Sequence, residues 1–362
     1  MEFPSDSEID KERRPGRGAV SNAVGRFEPR TRHRVDDGWA LDTEVPPLRT
    51  HVSIEHPRKI LARNSSPDLP FDRSINPYRG CEHGCVYCFA RPTHAFLGMS
   101  AGLDFETRLI ARPTAPDLLA RELSAKAYKP SPIAIGTNTD PYQPIEAGHG
   151  IMQGILTVLS DFNHPVMVTT KGTMIERDIE VLADMARRGL AQVGISVTTL
   201  DRDLSRRMEP RVPSPARRLT TIERLVRAGI PVRVMVSPVI PGLTDHELEA
   251  ILKAAANAGA HSASWIMLRL PFEVSALFQE WLAEAYPDRA ARVMARVRQT
   301  HGGKDYDARW GKRMRGEGVH AELIAQRFKV AIARLGLNRP QPLLRTDLFK
   351  VPARAGDQLS LF

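Results

Sequence analysis

All three cysteines of this 362-residue chain fall within one short stretch, Cys81-Glu82-His83-Gly84-Cys85-Val86-Tyr87-Cys88, spaced C-x3-C-x2-C. An odd set of thiols packed this tightly is no disulfide framework. Iron–sulfur clusters are held by Cys thiolates, normally four. With three, one iron of a [4Fe–4S] cube keeps an open position that a ligand's amino and carboxylate groups would fill. The competing chemistry is a structural zinc, with His83 or His94 as fourth ligand. Structural zinc sites usually split their ligands into two pairs on separate elements, and the sequence holds no second pair. Cys81, Cys85 and Cys88 are therefore the expected metal ligands, and the expected centre is a cluster.

Such a centre needs elements to hold it and loops to feed it. From about Ser74 to Leu270, short β-rich runs alternate with longer amphipathic ones, the sign of βα units around a parallel sheet. Strands are expected near Arg73–Asn76, Ile133–Gly136, Pro165–Thr169, Gln192–Val197, Pro231–Ser237 and Ala263–Arg269. Helices are expected near Pro116–Lys126, Gly148–Phe162, Ile175–Arg188, Ala216–Ala228 and Asp245–Ala258. Gly189, Gly229 and Gly259 follow helical runs, where a left-handed cap is wanted. The fold class is thus α/β, a partial (β/α)6 TIM-like barrel. In such barrels chemistry sits on loops after the strands. The cysteines follow the first strand; Asn138, Asp140 and Gln143 follow the second; Lys171 follows the third; Ser196 and Ser237 end the fourth and fifth. Ligand-binding residue types therefore gather at one rim.

The cysteine loop, with aromatic Tyr87 just before its third cysteine, resembles the signature of the radical S-adenosylmethionine (radical SAM) superfamily. Its setting, Asn76-Pro77-Tyr78-Arg79-Gly80-Cys81 through Tyr87-Cys88-Phe89-Ala90-Arg91, is similar to the spore photoproduct lyase-like branch. The resemblance runs from about Arg58 to about Gly336. It implies the same barrel, a [4Fe–4S] cluster, S-adenosylmethionine (SAM) and an external electron donor such as a flavodoxin or ferredoxin. Reduction through the cluster would break a C–S bond of SAM, giving methionine and a 5′-deoxyadenosyl radical that takes hydrogen from substrate. Cofactor contacts implied by the resemblance are Tyr87 beside the third cysteine, Asn138 and Asp140 toward the methionyl ammonium, Lys171 toward the carboxylate, Ser196 toward carboxylate or ribose, and Ser237 near adenine. The plain alternatives are a Pro-rich turn for Asn138 and Asp140 and a solvated surface side chain for Lys171. In one respect the chain departs from the branch. Spore photoproduct lyase is expected to use an extra cysteine as hydrogen donor, and here every cysteine is committed. The hydrogen donor is left open, with Tyr142 a candidate.

The implied substrate is nucleic acid, DNA favoured, as for a lesion-repair lyase. A net charge of +9 and a pI near 9.7 suit polyanionic partners. Between Pro287 and Gly316 nine basic residues face three acidic ones, with Tyr306 and Trp310 interleaved. Arg309, Trp310, Lys312 and Arg313 are candidate substrate contacts. So are Arg211 and Arg218, since guanidinium suits phosphate; their bland alternative is to pair with Glu209. Two other readings compete: a radical SAM enzyme acting on a peptide or small molecule, and a non-catalytic cluster-binding protein. No apolar run is long enough to span a membrane, no secretory signal opens the chain, and clustered free thiols suit a reducing cytosol. Four regions are expected: a disordered tail over 1–50, the barrel over 51–270, a helical extension over 271–336, and an extended tail over 337–362. That last tail ends Gln358-Leu359-Ser360-Leu361-Phe362. Gln358, Leu359, Leu361 and Phe362 resemble the peptide by which bacterial repair proteins grip the DNA sliding clamp; the alternative is that they fold back on the barrel.

Overall fold

The structure, a computed structural model, describes residues 16–28, 48–340 and 342–353. Its strands are β1 (His51–Ile54), β2 (Leu61–Arg63), β3 (Arg73–Ile75), β4 (Tyr78–Arg79), β5 (Arg108–Ala111), β6 (Ile133–Ile135), β7 (Val166–Thr170), β8 (Ala191–Ser196), β9 (Val232–Val239) and β10 (Ser262–Met267). The main sheet runs β10-β9-β8-β7-β6-β3-β2. β3 and the next five are parallel, and β2 is added antiparallel at the edge. All six expected strands are present within two residues of their expected ends, as a partial barrel that does not close. The small β1-β5-β4 sheet was not foreseen.

Register shows why this sheet makes a barrel with a usable interior. One set of rungs joins Ile75, Ile135, Val168, Val193 and Val232. These face the helices and are buried with Leu119, Ile155, Leu182, Leu225 and Leu252 in one apolar cluster. Side chains alternate across a strand, so the intervening rungs face inward. They carry Ser74, Ala134, Met167 and Gln192, then Thr169, Gly194, Arg233 and Ser262. Helix-facing positions are β-branched; interior positions are mostly small or polar, Met167 excepted.

The helices match their expected spans, with local exceptions. The run at 148–162 is broken at Gly150 (φ 62°) into Glu146–His149 and Ile151–Asp161. The next begins with a 3-10 turn, Thr173–Asp178, before Ile179–Arg187. The helical extension is present as Glu273–Ala285, Pro287–Thr300 and Val319–Leu335.

Three segments close the barrel's sides. Residues 16–28, expected within a disordered tail, are packed instead. Gly18 and Ala19 N–H donate to Glu106 at 2.9 and 2.8 Å, and a Cβ on Gly18 would stand 1.7 Å from the carbonyl oxygen of Gly84. The two backbones touch there, so only glycine fits. Residues 337–340 and 342–350 cross the strands' N-terminal ends: Ala263 N–H donates to Leu337, Gln192 to the Pro342 carbonyl, and Lys350 N–H to Phe162. The segment 305–316 lies along β10, where Met267 N–H donates to Met314 at 2.8 Å. From there it reaches across the seam, Arg313 pairing with Asp68 at 2.6 Å. The peptide Gln358–Phe362 lies outside the described residues. Among the described residues no helix is long and apolar enough to cross a membrane.

Candidate cofactor site at the open end of the barrel

The cysteine loop follows β3 and β4 and is held by its backbone. Cys81 N–H donates to Phe105 and Val86 N–H to Met208, at 2.9 and 3.0 Å. Arg91, fully buried, donates to the carbonyls of Cys85, Gly84, Ala101 and Gly102 and to Glu106 at 2.5 Å. Glu106 is equally buried and also holds the N-terminal strap. A buried charge pair of this kind needs its remaining polar atoms satisfied, and here the loop's carbonyls satisfy the guanidinium. Gln143, expected to face a ligand, instead accepts from Glu82 N–H at 2.8 Å and donates to the Gly80 carbonyl at 3.1 Å. It fastens the loop to β6's C-terminal side.

The three thiols are free, Cys81 and Cys85 buried and Cys88 half-buried. Burial pushes the Cys85 and Cys88 thiols up, a bias that a bound cation reverses by deprotonating its thiol ligands. Among the described residues no three His, Cys, Asp or Glu side chains converge on the place of one metal ion. A single zinc, with bonds of about 2.3 Å, would draw its thiolates to about 3.8 Å of one another. A four-iron cube takes each thiolate on a different iron, and three soft donors on one rigid loop fit that group. The histidines weighed for zinc have other work. His94 meets the Arg108 carbonyl at 2.9 Å, and His83 faces Asp140 at 3.4 Å. Burial opposes charge on His83, but Asp140 and the Cys81 sulfur lift its pKa to about 10.

Opposite the loop, three sequence-expected residues meet. Lys171 Nζ donates to Ser196 Oγ at 2.6 Å and to the Ser237 carbonyl at 3.3 Å, and it stands 3.7 Å from Glu209. The Tyr87 ring lies 5.8 Å from the same ammonium, and its hydroxyl donates to Glu209. Glu209, with no exposed surface, also accepts from Thr198 at 2.9 Å and Arg218 at 2.8 Å. Burial alone would raise its pKa; Arg218 and Lys171 outweigh that and hold it below the usual carboxylate range. The lysine is therefore fixed and only 15% exposed, not a solvated surface side chain. Ser237 Oγ is buried without a partner, at the place where the resemblance puts adenine.

Other expected residues are placed differently. Asp140 accepts from Thr170 Oγ1, Tyr142 N–H and Lys171 N–H at 2.6, 2.9 and 2.7 Å, besides facing His83. Its oxygens are occupied, so it sets the Lys171 backbone rather than meeting an ammonium. Asn138 is half-buried on the same loop. Tyr142 is buried in the main apolar cluster and donates to Asp178 at 2.9 Å, away from the interior. As a hydrogen donor it is misplaced. Arg218 is buried on Glu209 and the Ser196 carbonyl, as the bracing alternative has it; Arg211 is also paired, but with Glu82 rather than Glu209. Arg309 pairs with Asp307 and Glu317, Lys312 with Glu317, and Arg313 with Asp68. Trp310 of that group is 61% exposed and carries no charge to pair.

Comparison with known proteins follows the geometry. Residues 75–255 match the family described as the radical SAM superfamily. An uncharacterized protein of Mycobacterium tuberculosis is 36% identical over 289 residues, covering 79% of this chain and 82% of its own. An uncharacterized protein of Methanocaldococcus jannaschii is 26% identical over 174 residues, covering 48% of this chain and 62% of its own. Among solved structures, spore photoproduct lyase complexed with dinucleoside spore photoproduct superposes with a TM-score of 0.55 at 14% identity, covering 78% of each chain. At that identity the likeness is one of fold.

Proposed function

The chain belongs to the radical SAM superfamily, whose members bind a [4Fe–4S] cluster and SAM; on that footing we propose that it is an enzyme acting on nucleic acid, with DNA favoured. When bound, the two cofactors supply a carbon radical by one-electron reductive cleavage of SAM. Cys81, Cys85 and Cys88 would hold the cluster. Lys171 would take the carboxylate of SAM, Ser196 its carboxylate or ribose, and Ser237 would lie toward adenine. The observation that carries this reading is the convergence of Lys171, Ser196 and Ser237 within 3.3 Å on a buried Glu209–Arg218 base. Three strands contribute one charged and two polar groups to a single point facing the cysteine loop.

The protein's own part is to position and to exclude. Asp140 orders the Lys171 backbone, Glu209 stands 3.7 Å from its ammonium, and the segments 16–28 and 305–316 pack against the barrel beside the site. Nucleic acid as substrate is supported by the dinucleoside lesion held by the structural relative and by the net charge of +9. A deciding experiment incubates reduced, anaerobically reconstituted protein with SAM and ultraviolet-treated DNA. Formation of 5′-deoxyadenosine with deuterium passing between DNA and its 5′ carbon is expected. No SAM cleavage at all would sink the enzyme reading.

A second reading, a peptide or small-molecule substrate, is favoured by one finding. Arg309, Lys312 and Arg313 are already neutralised by carboxylates, so the basic stretch offers a weaker field than its composition suggests. SAM cleavage without any exchange with DNA would favour this reading.

A further inference from the structure

Two residues past β10, at the seam side of the mouth, Arg269 stands apart from the other arginines of this end. Arg91, Arg211, Arg218, Arg309 and Arg313 each meet a carboxylate. Arg269 meets none and donates no hydrogen bond among the described residues. It lies over the ring of Phe89, 3.9 Å from the guanidinium carbon; Phe89 directly follows Cys88, whose sulfur also acts on Arg269 electrostatically. Asp68 is near enough to be felt electrostatically. However, its oxygens are taken by Gly311 N–H at 2.8 Å and Arg313 Nε at 2.6 Å. The side chain is half-buried, and burial draws its pKa down. With no carboxylate of its own at salt-bridge distance among the described residues, a half-buried guanidinium keeps its donors open to an incoming anion.

The geometry limits what that anion is. Stacking on Phe89 covers a face of the guanidinium and leaves its in-plane N–H fork open, the shape that matches a two-oxygen acceptor such as phosphate. Aromatic surface for a base borders it. Phe89 is 40% exposed, and Tyr306 lies within electrostatic reach of Arg269. Stacking surfaces beside a cation are the means by which proteins hold single-stranded nucleic acid.

We propose that Arg269, stacked on Phe89, receives one phosphodiester group of a nucleic-acid substrate at the seam side of the mouth. The assignment rests on the nucleic-acid reading above and adds the residue that seats the strand. It differs from the composition-based expectation, which put phosphate contacts on Arg309, Lys312 and Arg313.

The test is fluorescence anisotropy of a labelled oligothymidylate against the full chain, reconstituted anaerobically, over a series of salt concentrations. Arg269→Gln should weaken binding roughly 10- to 150-fold, the loss of one charge-assisted contact. It should also lower the slope of log affinity against log salt by about 0.7, one phosphate on a single strand. Arg269→Lys, which keeps the charge but not the fork, should retain the slope and lose part of the affinity; it also serves if the Gln variant fails to fold. Arg309→Gln should change neither quantity, and SAM affinity should be unaltered in both Arg269 variants. Tight oligothymidylate binding by Arg269→Gln with an unchanged slope would overturn this assignment and leave the nucleic-acid reading standing. So would a loss of SAM affinity matching the loss of oligothymidylate. Wild-type protein that ignores oligothymidylate at low salt would instead overturn the nucleic-acid reading, and this assignment with it.

Discussion

Replacing Lys171 by Met keeps the stem and removes the ammonium, which isolates the role of its charge. In the free protein that ammonium donates to Ser196 Oγ at 2.6 Å and the Ser237 carbonyl at 3.3 Å. Its nearest carboxylate, Glu209 at 3.7 Å, is already committed to Arg218. The lysine therefore has charge to offer a carboxylate ligand, and losing one charge-assisted hydrogen bond costs about 1.5–3 kcal/mol. That predicts SAM affinity lower by roughly 10- to 150-fold. Ser196→Ala removes a neutral bond, about 0.5–1.5 kcal/mol. Because Ser196 is itself Lys171's partner, the double variant should lose less than the two single losses together. Equilibrium dialysis of SAM against anaerobically reconstituted protein reads the affinity, and iron analysis runs beside it. Iron should stay at the wild-type level, since Lys171 approaches the loop only through the Tyr87 ring at 5.8 Å. Full iron with SAM affinity within twofold of wild type would refute the placement of SAM at Lys171. Loss of iron would mean that Lys171 braces the loop instead.

Changing Cys81, Cys85 or Cys88 to Ala should remove the cluster, about four irons per chain; one zinc and no sulfide in anaerobically purified wild type would contradict that. Glu106→Gln leaves Arg91 charged and buried, so urea unfolding should show a loss of about 3–5 kcal/mol, with faster proteolysis within residues 16–28. His164 is buried, and burial holds its pKa down at about 4 against an ordinary 6.5. The unfolded chain then binds the extra proton first. Its contribution is complete above pH 6.5 and falls away toward pH 4, by at most about 3 kcal/mol. His164→Gln should flatten stability against pH across that window, and an equally steep curve would exclude His164 as the cause. The clamp resemblance of Gln358–Phe362 is checked by calorimetry of the full chain and a chain ending at Asp357 against the sliding clamp: on that resemblance the loss of Leu361 and Phe362 weakens binding roughly a hundredfold, and equal heats exclude the clamp peptide.

The barrel was legible because its signals are local. Alternating β-branched runs and glycine-ended helices need no distant partner to be read, and all six parallel strands lie where the periodicity put them. The rim was legible for the same reason, since a residue just after a strand has little choice of end. What a rim residue does was not legible. Asp140 and Gln143 have the side chains of ligand contacts, yet their oxygens serve the Lys171 and Glu82 backbones. Arg91 and Glu106, the buried pair under the cysteine loop, are 15 residues apart in a stretch with no period to mark them. The N-terminal strap was missed because Arg17-Gly18 reads as tail composition. Only the 1.7 Å approach of a Cβ at Gly18 to Gly84 shows the glycine to be a packing requirement.

Charge is where a sequence count misleads most, and the reason is geometric. The partner of an arginine is set by the fold, not by the window in which residues are counted. Arg313 finds Asp68 some 245 residues away, and Arg309 and Lys312 share Glu317, one residue past the basic stretch. Pairing leaves the net +9 unchanged but moves the unmatched part of it. On this stretch the unmatched charge lies on Arg315, which among the described residues meets only the Trp265 carbonyl and ring, and on the helix Pro287–Thr300, where Arg289 and Arg292 are exposed; at the mouth it lies on Arg269. Exposed helix charges steer a polyanion from a distance and are screened within about 10 Å at moderate salt. A half-buried guanidinium is screened far less and discriminates by shape. The two sets therefore have separable signatures: variants on the helix should change association rate and its salt dependence, and variants at Arg269 should change dissociation.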